Sequence, residues 1–209
     1  MKKLSIKSKK RILEIISLVF FLSGILILIN YKIQNKKLDN KEQEMIDMYF
    51  KKQETDVDNV LDKGGEENID PPYIFYNYVG VLEIPKINLR KGFTSIDDNN
   101  NDVNKNIELL KESDMPNVVG GNLIIAGHSG IGRIAYFNNI NKLSNKDIIN
   151  IYYNNKKYIY EVVDKYEIDK KGIMNIRKDK NKTTLTLITC STSNEKKQIV
   201  IISYLKQID

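Results

Sequence analysis

The sequence predicts a closed or nearly closed all-β domain, carried behind an N-terminal membrane-spanning helix and a polar stalk. Three observations lead there. After Pro72 the chain breaks into short runs rich in Ile, Val, Thr and Tyr, separated by clusters of Asn, Asp, Gly and Lys, as strands and turns require. A strongly polar stretch precedes them, and before that comes an apolar run of the length that crosses a bilayer core, about 20 residues. The total of 209 residues is enough for one well-cored domain with appendages and too few for two large ones.

The first element opens with Lys2, Lys3, Lys7, Lys9, Lys10 and Arg11, and residues 12–29 are then apolar except for Glu14, Ser17, Ser23 and Gly24. Extended to Tyr31, this run reads as a single-pass anchor. Glu14 lies one turn from the cationic end, where it reaches the interface and pairs with Lys10 or Arg11. A basic flank stays in the cytoplasm, so everything after Tyr31 is expected outside the cell membrane. A cleaved secretory signal has the same order of regions, but Asn30, Tyr31, Lys32, Ile33 and Gln34 offer no small-x-small cleavage site.

Residues 32–72 read as stalk and linker. Asp39 or Asn40 is placed to cap a helix starting near Lys41, and the few apolar residues at Met45, Ile46, Met48, Tyr49 and Phe50 fit a solvated helical stalk. Gly64, Gly65, Pro71 and Pro72 then exclude a continuing helix. The domain at 73–209 shows six strands, at 79–84, 122–126, 148–153, 157–168, 184–189 and 199–205, and two short helices, at 102–111 and 134–139. The net charge of +6 is spread among Asn and Asp and forms no single basic face, so nucleic-acid binding is not expected.

The chain has one cysteine and one histidine, which rules out an internal disulfide, Cys-rich zinc sites and multi-histidine metal motifs. His128 ends the run Leu123, Ile124, Ile125, Ala126, Gly127 and precedes a glycine-containing turn. Cys190 ends the run Leu185, Thr186, Leu187, Ile188, Thr189. Taken alone, a single cysteine is most often a small buried hydrophobe, and a single histidine a surface or hydrogen-bonded residue. Their matching seats at strand ends suit an imidazole that activates a thiol. An acidic, Asn-rich loop at 97–102 could bind calcium weakly but lacks the ordered ligand spacing of an EF-hand.

These strings also carry a family resemblance. TLITC, at 186–190, matches the sortase signature in which Leu, any residue, Thr and Cys end a strand. IAGHSG at 125–130 resembles the sortase histidine segment, VGVLEIPKINL at 79–89 resembles the opening strands, and an anchor followed by a stalk is the usual layout. The similarity covers about residues 73–209. It implies an eight-stranded β-barrel and a membrane-anchored cysteine transpeptidase of Gram-positive bacteria. Its partners would be secreted proteins bearing a C-terminal LPXTG-like sorting motif, and an amine of a cell-wall precursor, lipid II or a peptidoglycan cross-bridge. Cys190 would form the thioacyl enzyme and His128 would exchange protons with the departing and incoming amines, with no metal or organic cofactor.

The family's third residue is an arginine on the strand after the cysteine. Here the last arginine is Arg177, and the equivalent position falls on Lys197 or Gln198, depending on register. Neither supplies a planar guanidinium fork. Thr189, beside the thiol, is a candidate substrate contact. Ile173, Met174 and Ile176, in the connection that lines the family's motif groove, either form a substrate pocket or simply cover the barrel. Two other readings compete. A chymotrypsin-like cysteine protease would want a glycine-flanked cysteine and a second barrel; a non-catalytic extracellular adhesion module would need neither residue.

Overall fold

In the computed structural model, the residues described are 6–54, 76–170, 176, 179 and 181–209. The expected linker at 64–72 lies outside them. The chain divides into two compact units, Met1–Glu44 and Met45–Asp209. In the first, α1 (Ile6–Glu54) carries the apolar run, with Phe20, Phe21, Leu26 and Ile27 all exposed. It is long and apolar enough to cross a membrane. No helix begins at Lys41: α1 is already helical there, so neither Asp39 nor Asn40 acts as a cap.

The second unit is one eight-stranded sheet built from β1 (Tyr78–Ile84), β2 (Leu89–Thr94), β3 (Glu108–Leu109), β4 (Asn122–Ala126), β5 (Ile148–Tyr153), β6 (Lys156–Asp169), β7 (Thr184–Cys190) and β8 (Lys197–Ile208). Its order is β2-β1-β5-β6-β8-β7-β4-β3, and the end strands β2 and β3 approach each other without a ladder, so the barrel is nearly closed. Every pair is antiparallel except β4 with β7. The described residues thus form one barrel, where a chymotrypsin-like protease would have two.

Strand character follows burial. β6 alternates between buried and more open positions along its first half, whereas β7 is buried on both faces, as expected of a central strand with a parallel neighbour. The inner face holds Leu123, Ile125, Leu185, Leu187, Ile199 and Ile201. Ile124, Ile188, Val200 and Ile202 form a second cluster on the opposite face of the same strands. A third cluster joins Ile46 and Tyr49 to Tyr78 and Val81. Residues read as solvated stalk are therefore packed, and the Tyr49 hydroxyl donates to the Tyr152 carbonyl at 3.1 Å.

Neither short helix expected in the domain forms as an α-helix. Around 102–107, Asp and Asn side chains bind the backbone in place of helical carbonyls: Asp102 Oδ1 accepts from Asn104 N at 2.8 Å, and Asn101 bridges both backbone groups of Leu109. Leu109 then pairs with β4 as part of β3. At 134–139 the chain makes turns, and Asn138 uses its amide to staple Gly130 N and O at 2.6 and 3.0 Å. Among the described residues the short helices are single 3₁₀ turns at Pro85–Ile87 and Ile140–Lys142.

Candidate active site

The parallel β4/β7 pair sets the site. Its register places Ile124 beside Thr186 and Ala126 beside Ile188. The seam continues past the end of β4: Gly127 N donates to Ile188 O at 3.1 Å, the Thr189 hydroxyl donates to Gly127 O at 2.7 Å, and the Ser129 hydroxyl donates to Cys190 O at 2.5 Å. His128 and Cys190 therefore each lie two residues beyond the paired Ala126 and Ile188, at neighbouring strand ends. Both side chains are half-buried. Gly127 is required here, because a Cβ at this position would lie 2.7 Å from the Phe137 ring. Phe137 N in turn donates to His128 O at 2.9 Å, which fixes the histidine backbone from the other side.

Alternation assigns the faces. Ile188 belongs to the outer cluster, so Cys190, two residues on, shares that face, whereas Leu187 and Thr189 face the barrel interior. On β8, Cys190 pairs directly with Gln198, and Gln198, Val200 and Ile202 share one face. Cys190 and Gln198 thus share one face across β7 and β8, next to Ala126, Ile188 and Val200, and His128 follows two residues past the end of the neighbouring β4. Side chains paired like Cys190 and Gln198 have Cβ atoms about 5 Å apart.

Lys197 takes the other face. Its ammonium lies 3.7 Å from Glu167 Oε2, and the other oxygen of Glu167 accepts from the Ser191 hydroxyl at 2.8 Å. Together they fasten the start of the β7–β8 loop, where Ser191 N donates to Lys197 O at 2.9 Å. Thr189 is buried on the interior side and tied to Gly127, away from the Cys190 face. Ile176 packs, half-buried, against the outer cluster. Ile173 and Met174 lie outside the described residues.

Sequence reading missed the histidine's hydrogen-bond partner. His128 Nε2 lies 3.2 Å from Asn104 Oδ1, while Asn104 Nδ2 donates to Asp102 Oδ1 at 3.0 Å. Asn104 arrives on the segment leading into β3, on the far side of β4 from Cys190. The Asn104 N–H, followed by its side-chain amide and the charges of Lys105 and His128, outweighs desolvation and holds the Asp102 carboxyl below the usual carboxylate range. Nothing in the local pattern of 97–106 marks Asn104, because its partner is brought in by the β3/β4 pairing.

A sortase-domain family model matches residues 82–206, more than half of the chain. Sortase A from Corynebacterium diphtheriae is similar in structure at 22% identity with a TM-score of 0.57, over 64% of this chain and 63% of its own. Sortase C-1 from Actinomyces oris matches at 20% identity and a TM-score of 0.56, covering 67% of this chain and 75% of that one. Sortase C from Clostridium perfringens, solved with the C-terminal cell wall sorting motif, matches at 20% identity and a TM-score of 0.53, over 63% and 71%. The match spans just under two thirds of the Corynebacterium protein. No match emerges among curated protein sequences. With the family model over more than half its length and this barrel beneath it, the chain belongs to the sortase family.

Proposed function

We propose that the chain is a membrane-tethered cysteine transpeptidase acting on an LPXTG-like sorting motif of secreted proteins. Family membership supports the reading, and one observation carries it: Cys190 is paired with Gln198 at the end of β7, and His128 stands two residues past the end of the neighbouring β4. The Cys190 thiolate adds to the carbonyl carbon of the motif's threonine-like residue. The developing oxyanion meets the Gln198 side-chain amide, the C–N bond breaks, and His128 gives its proton to the departing amine. An incoming amine of a cell-wall precursor then loses a proton to His128 and attacks the thioester, forming a new amide and releasing the Cys190 thiolate.

Ile188 and Val200 are buried and form the floor beneath Cys190, over which half-buried side chains such as Ile168 and Ile176 pack; a related sortase C was solved with a sorting motif. Ile176, packed against this cluster, is assigned to the flank of the substrate site; Ile173 and Met174 are kept as candidate substrate contacts only. Thr189 is assigned to positioning, through its bond to Gly127, and not to substrate contact. Residues 1–31 are assigned as the cytoplasmic tail and anchor, with the catalytic domain outside the cell. The test is to incubate the full chain in detergent micelles with labelled sorting peptides, with and without amine acceptors. Ligated product that depends on the acceptor and vanishes in Cys190→Ala and His128→Ala supports the reading. Ligation by either variant contradicts it.

A further inference from the structure

We propose that Asn104, held in orientation by Asp102, is a positioning residue that locks the tautomer of His128. The inference rests on the reading of His128 as the acid–base group. The geometry leaves little choice of orientation for the Asn104 amide. Its backbone N–H and its Nδ2 both donate to the same oxygen of Asp102, at 2.8 and 3.0 Å. Flipping the amide would set its oxygen against a carboxylate oxygen, a repulsive contact in place of a charge-assisted bond. Oδ1 therefore faces His128, and it can only accept.

An acceptor 3.2 Å from Nε2 selects the ring form that carries a proton there. In the neutral imidazole, Nδ1 is then the basic nitrogen, available to take a proton from the thiol or from an incoming amine. When the ring is doubly protonated the Nε2–H bond persists, so the imidazole need not turn between the two halves of the reaction. Asp102 stays ionised under the hydrogen bonds it accepts, which keeps the amide fixed.

The platform is itself anchored at several points. Val103 N donates to Glu108 Oε2 at 3.0 Å, the Tyr76 hydroxyl donates to Lys105 O at 3.3 Å, and the buried Asn106 amide donates to Gly92 O at 2.7 Å. Asn104 is exposed, so its replacement removes no core contact. Positioning of this kind is what a general base needs, because proton transfer depends on placement before anything else.

Because the chain has one histidine, the ring nitrogens of the full chain, labelled with ¹⁵N-histidine in detergent micelles, give one unambiguous NMR pattern. With the imidazole neutral, the wild type should show a pyrrole-like Nε2 and a pyridine-like Nδ1 almost exclusively. Asn104→Ala should shift toward the tautomer mixture of an unrestrained imidazole, at unchanged melting temperature. Its transpeptidation turnover should fall about tenfold, the scale of one lost hydrogen bond, with KM unchanged. The exchange of partners in the double variant D102N/N104D, which restores one amide and one carboxylate, should recover both the tautomer and the rate. A wild-type spectrum already mixed, or identical to that of Asn104→Ala, overturns the proposal. A locked tautomer in a chain that performs no ligation would leave the positioning intact and remove the transpeptidase reading instead.

Discussion

At the scale of single residues, Cys190 has two candidate helpers on β8, and they differ in what they face. Gln198 is paired with the cysteine across the ladder; Lys197 is turned to the other side and engaged with Glu167. Replacing Gln198 with Ala should lower turnover by about 100-fold to 1000-fold if its amide meets the oxyanion. Replacing Lys197 with Ala should leave turnover nearly unchanged and cost at most about 1 kcal/mol, as expected for a half-exposed ion pair. Steady-state kinetics and thermal melts on the two variants check this, and a large rate loss confined to Lys197→Ala would contradict it. Strand alternation already said in the sequence that only one of the two could reach the thiol side. It could not say which, because the register between β7 and β8 is set by the Ser191–Glu167 clasp and the loop that closes it, which no local pattern encodes.

At the scale of elements, the strands that bury both faces or alternate cleanly were legible, while those shaped by their neighbours were not. β4 and β5 match their expected limits, and β7 extends only to include Cys190. β2 reads Leu89, Arg90, Lys91, Gly92, with no alternation. It is a strand because β1 pairs with it and the Tyr78 ring covers Gly92, where a Cβ would lie 2.2 Å from that ring. The turn before β5 offers a test of how such elements are tied. Asp147 accepts from Lys86 Nζ at 2.6 Å and from Ser144 N at 2.7 Å, joining it to the turn after β1. Burial alone would push the Asp147 carboxyl up, but the Lys86 ammonium and the Ser144 donors outweigh it and hold the carboxyl below its ordinary range. A carboxyl depressed on folding stabilises above its unfolded pKa, and that contribution disappears as the pH falls through the lower folded value. Asp147→Asn should therefore cost about 1 kcal/mol near neutral pH. In strong acid, thermal melts should find the variant and the wild type equally stable; a constant difference across that range would contradict the assignment.

At the scale of the whole molecule, the apolar N-terminal helix and the strand-rich domain were both legible, since each rests on composition over many residues. The boundary between them was not. Ile46 and Tyr49 sit in a polar context and look solvated, yet they are buried against Tyr78 and Val81, a pairing visible only once β1 is in place. The candidate site was half legible for the same reason: Cys190 and His128 stand out as candidates at strand ends, whereas Asn104 depends on how the edge strand β3 returns to β4. The transpeptidase reading requires Cys190 to form a thioester with the sorting motif. Intact-mass measurement of the full chain in detergent micelles, after exposure to a sorting-motif peptide without an amine acceptor, tests this directly. The expected product is a chain carrying the N-terminal part of the peptide on Cys190, released by hydroxylamine and absent from Cys190→Ala. Peptide cleavage with no adduct at Cys190, or an adduct that survives in the alanine variant, would contradict it.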